Sequence, residues 1–296
     1  MDILEAMLTR RSVRTYRREP VPLLLLDRVK RSFDSADRLT EVPLRLQLVP
    51  AERVAHAMTG LVGSYGSMKD PPTYAIGISR EGENDQANFG FVMEQFVLAC
   101  TQEGLGTCWV GGFFKKSRMD EAVPVETGER IVCVSPVGYA KERRLAERTM
   151  RSLGDLNSRK PLSELVFHDR WGNPATAYLA ARPALTQVLE AARWAPSGSN
   201  GQPVRYVVDD ERIVVCLLRP RLARYAGLLG TDHAEGLDFR GVDAGIAMAH
   251  VHLAARRLGI AGRFTLAFDG PGIAERRAVP EGARIVGEFR FDRPPG

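Results

Sequence analysis

Residues 89–104 read FGFVMEQFVLACTQEG, and this stretch decides the fold because a relative of it occurs later in the same chain. Phe89, Val92, Met93, Phe96, Val97 and Cys100 fall at i, i+3, i+4, i+7, i+8 and i+11, the broad apolar stripe of a core-facing helix. Gly104 stands where a left-handed residue would close that helix. Residues 243–259 read DAGIAMAHVHLAARRLG, and Gly90, Met93, Leu98 and Gly104 meet Gly245, Met248, Leu253 and Gly259 at one offset (245 − 90 = 155). Pro43-Leu44-Arg45 meets Pro203-Val204-Arg205 (203 − 43 = 160), and Gly128-x-Arg130-Ile131-Val132 meets Gly282-x-Arg284-Ile285-Val286 (282 − 128 = 154). Offsets that drift by a few residues are what loop insertions leave in a repeated unit.

The same elements surround each long helix. Periodicity predicts helices over 1–10 and 23–33, strands over 44–49 and 74–79, then the long helix and a closing strand over 130–137. It then predicts a helix over 185–195, strands over 204–209 and 212–218, the second long helix, and a closing strand over 284–291. The expected fold class is therefore α+β, in two tandem halves, 1–167 and 168–296, with RKPLSELVFHDRWGNP (159–174) as the junction. The halves are unequal. RRSVRTY (10–16) has no counterpart in the second half, while APSGSN (195–200) stands where the first half has SADRLT (35–40). Each half keeps what the other lacks. A symmetric homodimer with sites at its interface, fused into one chain with one composite site, would leave this pattern: an intramolecular pseudo-dimer.

Composition excludes several classes. At 296 residues, 44% hydrophobic and 26% charged, the chain is an ordinary globular protein with room for a large core. The net charge of +5 is carried mostly by arginines spread along the chain, which reads as a solvated surface, and no nucleic-acid-binding motif accompanies it. No apolar run approaches the roughly 20 residues of a membrane span. MDILEAMLTRR carries acids and no apolar h-region, so no secretory signal is expected. Four scattered cysteines, Cys100, Cys108, Cys133 and Cys216, suit reduced thiols in a cytoplasm better than disulfides or zinc.

Four stretches then stand in order: RRSVRTY; EGLGTCWVGGF (103–113); VGY (137–139) followed by RKPLSEL (159–165); and APSGSNGQP (195–203). None is specific alone. Together, in a duplicated α+β frame, they resemble the FMN-dependent nitroreductase family, and within it a branch of single-chain, internally duplicated members, over essentially the whole chain. The resemblance implies one FMN at the pseudo-dimer interface. Arg10 and Ser12 would hold phosphate and ribityl oxygens with Arg11 adjacent, and Arg159 and Lys160 would complete the phosphate site. Arg14 would reach the N1–C2=O edge, where reduction places negative charge. Gly111 and Gly112 would bring backbone close to N5 without a Cβ in the way. Pro196, Ser197, Gly198, Ser199 and Asn200 would come onto the flavin from the other half. The implied reaction passes hydride from NAD(P)H through FMN to a small acceptor, such as a nitroaromatic, a quinone or another flavin. The family's dimer interface would be internal, so a monomer is expected, with small-molecule partners only. Two positions depart from the family: Gly111 stands where some members carry an acid, and Val204 where an aromatic often follows QP.

Other candidates carry less. Taken alone, the basic residues at 10–14 and 159–160 would read as a solvated face. His250 and His252, at i and i+2, do not share a helix face and read as core or surface residues. Gly104-x-Gly106 lacks the third glycine and the preceding strand of a dinucleotide fingerprint. Ser197 and Ser199 lack a nucleophile elbow. Cys108 reads as packing, and Trp109 and Phe113 equally as core or pocket wall. Residues 219–243 are long enough to fold over a flavin as a lid or to make a surface excursion. A closed lid would make the protein an FMN-binding or sequestering protein with little reductase activity.

Overall fold

Two helices, Asp85–Gln102 and Phe239–Arg257, cross at the centre of the computed structural model, which describes residues 1–58, 68–111, 116–141, 158–219, 239–266 and 270–295. A Cβ on Gly90 would sit well inside 3 Å of the Val242 carbonyl, and a Cβ on Gly245 equally close to the Ala87 carbonyl. Backbone therefore lies on backbone, which only glycine permits at these two points. The contacts are reciprocal, since 242 − 87 and 245 − 90 are both 155. Both helices are buried on most sides, as expected of helices apolar nearly all round. Both also end alike: Gly104 and Gly259 are left-handed (φ +75° and +73°), and the amides of Leu105 and Ile260 donate to the carbonyls of Cys100 and Ala255 at 2.8 and 2.9 Å.

Two sheets flank this crossing. The first runs β1 (Leu44–Pro50), β2 (Thr73–Arg80), β4 (Glu129–Gly138), β3 (Gly106–Thr107) in spatial order, all antiparallel. The second runs β5 (Val166–His168), β6 (Val204–Val208), β7 (Arg212–Leu218), β9 (Ala283–Phe291), β8 (Gly262–Thr265), antiparallel except for β5 beside β6. The registers coincide. Arg45, Ile78 and Ile131 face one another across the first sheet, as Arg205, Cys216 and Ile285 do across the second. Each central pair carries a bulge at the same place, where Gly77 next meets Cys133 and Val215 next meets Gly287. The period of two explains the layers. Ala75 packs with Phe89 and Phe96 in the main core, while Tyr74, Ile76 and Ile78 face a second cluster with Val54, Met119 and Val123.

The expected elements are present with shifted ends. The first helix is Ile3–Thr9, the next Leu23–Asp34, the helix expected over 185–195 is Pro183–Arg193, and the second long helix begins at Phe239 rather than 243. Strand β5 has no signal in the sequence, because three residues show no period. It spans the expected 167/168 boundary and pairs into the second sheet. Among the described residues, no helix is long and apolar enough to cross a membrane. All four cysteines are buried and free, and burial pushes the Cys216 thiol up to about 12.

Two predictions follow from packing and charge. Gly245→Ala must separate the crossed helices and should lower the unfolding free energy by about 3 kcal/mol in a urea titration; unchanged stability would contradict the close crossing. Glu129 accepts bidentately from Arg45 at 2.6 and 2.9 Å, and takes the Glu126 amide, which holds its carboxyl at about 2. A depressed carboxyl stabilises the fold above its unfolded pKa and loses that stabilisation as pH falls through its folded one. Glu129→Gln should therefore cost on the order of 1–2 kcal/mol at neutral pH and flatten the loss of stability on acidification below about pH 4.5, read by thermal melts against pH.

Candidate functional site

Residues 10–16 leave the first helix as an extended segment and are clamped from three sides. The Val13 amide donates to the Thr107 carbonyl at 2.8 Å, and Ser12 lies opposite Thr107. The Lys69 amide donates to the Arg14 carbonyl at 2.9 Å, while the Arg17 and Lys141 amides donate to the carbonyls of Tyr139 and Thr15 at 2.9 and 3.0 Å. Tyr16 is buried with its hydroxyl on the Val13 carbonyl at 2.6 Å. Three of the stretches quoted from the sequence thus meet here. Glycine makes the approach possible: a Cβ on Gly106 would fall 2.6 Å from a Val13 methyl, and one on Gly138 the same distance from Pro72. Gly111 lies against the ring of Phe239, the first residue of the second long helix. Gly112 and Phe113 lie outside the described residues, as do 220–238 of the lid candidate.

The segment 194–203 is held by side chains because its backbone is strained. Ser199, Asn200 and Gln202 take φ of +51°, +55° and +46°, three non-glycine residues in the left-handed region within four positions. Such conformations cost of order 1–3 kcal/mol each and persist where the surroundings over-determine them. The Gly198 amide donates to Asp243 at 3.0 Å, and the Gln202 amide to the Ser197 hydroxyl at 2.9 Å. Buried Arg205 donates to the carbonyls of Gln202 and Val204 at 3.0 and 2.8 Å. Its counterpart Arg45 binds Glu129. The residue matching Glu129 is Ala283 (129 + 154), so Arg205 has no such carboxylate and turns to the loop. Asp243 likewise has a counterpart in Asn88 (243 − 88 = 155), whose side-chain oxygen takes the amides of Leu39 and Thr40 at 2.9 and 3.2 Å. One helix position docks both loops.

The loop in turn seats residues 158–160. Asn200 accepts from Arg159 at 2.5 Å and donates to the Ser158 carbonyl at 3.0 Å. Gln202 accepts the Lys160 amide at 2.9 Å. The Arg159 and Arg193 guanidiniums lie 5.5 and 5.4 Å from the Trp194 ring centre. Burial, then the cations Arg10 and Arg193, push the Arg159 guanidinium down to about 10. Arg10 is buried, and its Nε and Nη1 have no hydrogen-bond partner among the described residues. A buried and a half-buried cation close enough to repel, each with a guanidinium nitrogen that has no hydrogen-bond partner among the described residues, form a place for an anion.

The sequence-predicted residues therefore divide. Arg10 lies near enough to Arg159 for its charge to act on it, and Arg159 bonds Asn200, across 149 and 41 positions of the chain (159 − 10 and 200 − 159). Lys160 offers its backbone amide to Gln202, while its ammonium pairs with Glu164 at 3.1 Å. Arg11 is exposed. Trp109 belongs to the core, edge-on to Phe89 and bonded to Glu94. His250 is buried and His252 sits on Asp37. Sequence reading missed Gln202, Asp243 and Phe239, whose partners Lys160, Gly198 and Gly111 lie too far along the chain for any spacing to mark them, and Arg193, which pairs with Glu190 one turn back and lies by Trp194. A small cleft of about 30 Å³ opens beneath the loop, lined by Ala192, Pro196, Ser197, Val204, Tyr206 and Asp243 among others. Arg10, Arg14 and Gly111 are not on its wall, so it is a space behind the loop rather than the gap between loop and arginine strand. Among the described residues, no group of three or more His, Cys, Asp or Glu side chains is placed to hold a metal.

No curated protein matches the chain. Among solved structures, one from Thermotoga maritima described as a "putative nitroreductase" is 20% identical, with a TM-score of 0.55 over 98% of this chain and 93% of that one. A nitroreductase family protein from Clostridium novyi NT is 19% identical, over 60% of this chain and 98% of its own, with a TM-score of 0.43. A nitroreductase with bound FMN from Bacteroides fragilis is 17% identical, over 49% and 91%, with a TM-score of 0.40. The fold of the first of these is the fold described above. The family described as "Putative TM nitroreductase" matches residues 2–255, and the chain belongs to that nitroreductase family.

Proposed function

We propose that the chain is an FMN-dependent oxidoreductase that takes hydride from NADH or NADPH and delivers it to a small acceptor such as a nitroaromatic, a quinone or a flavin. The observation that carries this reading is Arg10, a buried guanidinium with unpaired N–H groups near the half-buried cation Arg159. A dianionic phosphate fits that need, and FMN carries one at the end of a polar ribityl chain. When bound, FMN accepts hydride at N5 and passes on its electrons, so the protein's task is position and electrostatics. Arg10 and Arg159 hold the phosphate, Ser12 a ribityl oxygen, and Arg14 the N1–C2=O edge. Gly111 and Gly112 keep Cβ atoms away from the ring, and Pro196 to Asn200 cover it from the second half. The left-handed residues of that loop hold its shape before the cofactor arrives, which lowers the ordering cost of binding.

The same reading takes the chain as a duplicated unit, its halves meeting at the glycine crossing as two protomers would, with one composite site. In this reading the halves divide at 167/168, and β5, which spans that boundary, pairs with the second half's sheet. The chain works as a cytoplasmic monomer with small-molecule substrates.

Purified protein, loaded with FMN where needed, should show flavin absorbance that bleaches when NADH or NADPH is added without oxygen. A protein that takes up no FMN would end this reading, and flavin bands that persist with both donors would leave a binding protein without reductase activity. Arg14→Ala and Asn200→Ala should each weaken FMN binding although 186 positions apart (200 − 14); unchanged affinity in both would reject a composite site. Arg10→Met should weaken FMN by about 10- to 100-fold, the worth of one charge-assisted bond, while leaving riboflavin affinity nearly unchanged. The same variant should melt no lower than wild type without cofactor, because it removes a buried, unpaired cation.

A further inference from the structure

Beneath the site lies a second group of polar side chains that the proposed function does not use. Glu94 and His250, on the two crossing helices, are both fully buried. One Glu94 oxygen lies 3.0 Å from His250 Nε2, and the other accepts the Trp109 indole N–H at 2.9 Å. His250 Nδ1 lies 2.8 Å from the Ala191 carbonyl. That carbonyl can only accept, so Nδ1 carries a proton, and the remaining proton lies on the Glu94–His250 line. Every polar atom of the group is thereby satisfied, in a place where a partly satisfied one would be costly.

Three of the elements joined to Glu94 lead into the candidate site, His250 lying on the helix that bears Asp243. Trp109 stands two residues before Gly111, and Ala191 lies in the last turn of the helix that leads into the 194–203 loop. An apolar filling would pack this interface without fixing one element's height against another, whereas directional bonds fix it. Resting on the FMN reading above, we propose that Glu94 is a positioning residue: through Trp109 on one side and His250 on the other, it sets the spacing between the glycine turn and the loop that together receive the cofactor.

The test uses full-length protein and two readouts, the FMN dissociation constant and the Trp109 indole ¹⁵N–¹H signal of the cofactor-free protein, assigned with Trp109→Phe. Glu94→Gln can accept from Trp109 and donate to a neutral His250. It should keep the downfield indole signal and bind FMN within about threefold of wild type. Glu94→Leu should move the signal upfield and weaken FMN by about tenfold or more, well below its melting temperature, because the turn is no longer held in place. If Glu94→Leu does not fold, Glu94→Asp, one methylene short, takes its place with the same expectation. Because the effect runs through Trp109, the double variant with Trp109→Phe should lose no more than the single one. Folded Glu94→Leu or Glu94→Asp protein with wild-type FMN affinity, or losses that multiply in the double variant, would overturn the proposal. Wild-type protein that binds no FMN removes the cofactor reading itself, and is told apart because it shows in the parent before any substitution.

Discussion

Everything else in the molecule is hung on the contact of two glycines with two carbonyls. At Gly90 and Gly245 the long helices approach until backbone touches backbone. That approach fixes how far the two sheets stand apart, because each sheet packs its inner face on those helices. It also fixes the height of the polar group formed by Glu94 and His250, and the position of Asp243 under the loop. Bulkier side chains at the crossing would part the helices and, with them, the arginine strand from the loop.

Around this crossing four strands of each sheet agree in order and in bulge, with β5 the unmatched fifth, yet corresponding positions are put to different uses. Arg45 closes an ion pair at the edge of its sheet, while Arg205 has turned to two loop carbonyls because the carboxylate is missing. Asn88 and Asp243 hold their loops in the same way, one neutral and one charged. The strained residues occur in only one of the two loops: Ser199 and Asn200 are left-handed, and none of residues 35–40 is. Strain gathered on one side and absent from its counterpart points to the side that has a task.

Much of the fold was legible because it depends on local pattern. The apolar stripe of 89–100, the capping glycines and the two-residue alternation of the strands are short-range signals, and the offsets near 155 multiply them. Strand β5 was not legible, since three residues beside a longer strand are placed by pairing alone. The site was legible in its members but not in its bonds. Arg10, Arg159 and Asn200 stood out as polar residues in known company, whereas Gln202 and Asp243 act through partners, Lys160 and Gly198, that only folding brings near. His250 shows the limit most plainly. Its sequence leaves it a core or a surface residue; the structure buries it, and only the crossing reveals Glu94 on one nitrogen and a carbonyl on the other.

The reciprocal crossing lies within one chain, and this changes how the site can vary. In a two-fold assembly of identical chains, each substitution is made twice, and a residue useful at one interface position must be tolerable at its mate. Here each position is altered once. An alanine could replace the acid opposite Arg205 without loosening Arg45, and a loop could take up strain on one side only. The two loops and the two arginines show that inequality: one side of a nearly symmetric frame carries the strained loop, and the other the ion pair that closes its sheet.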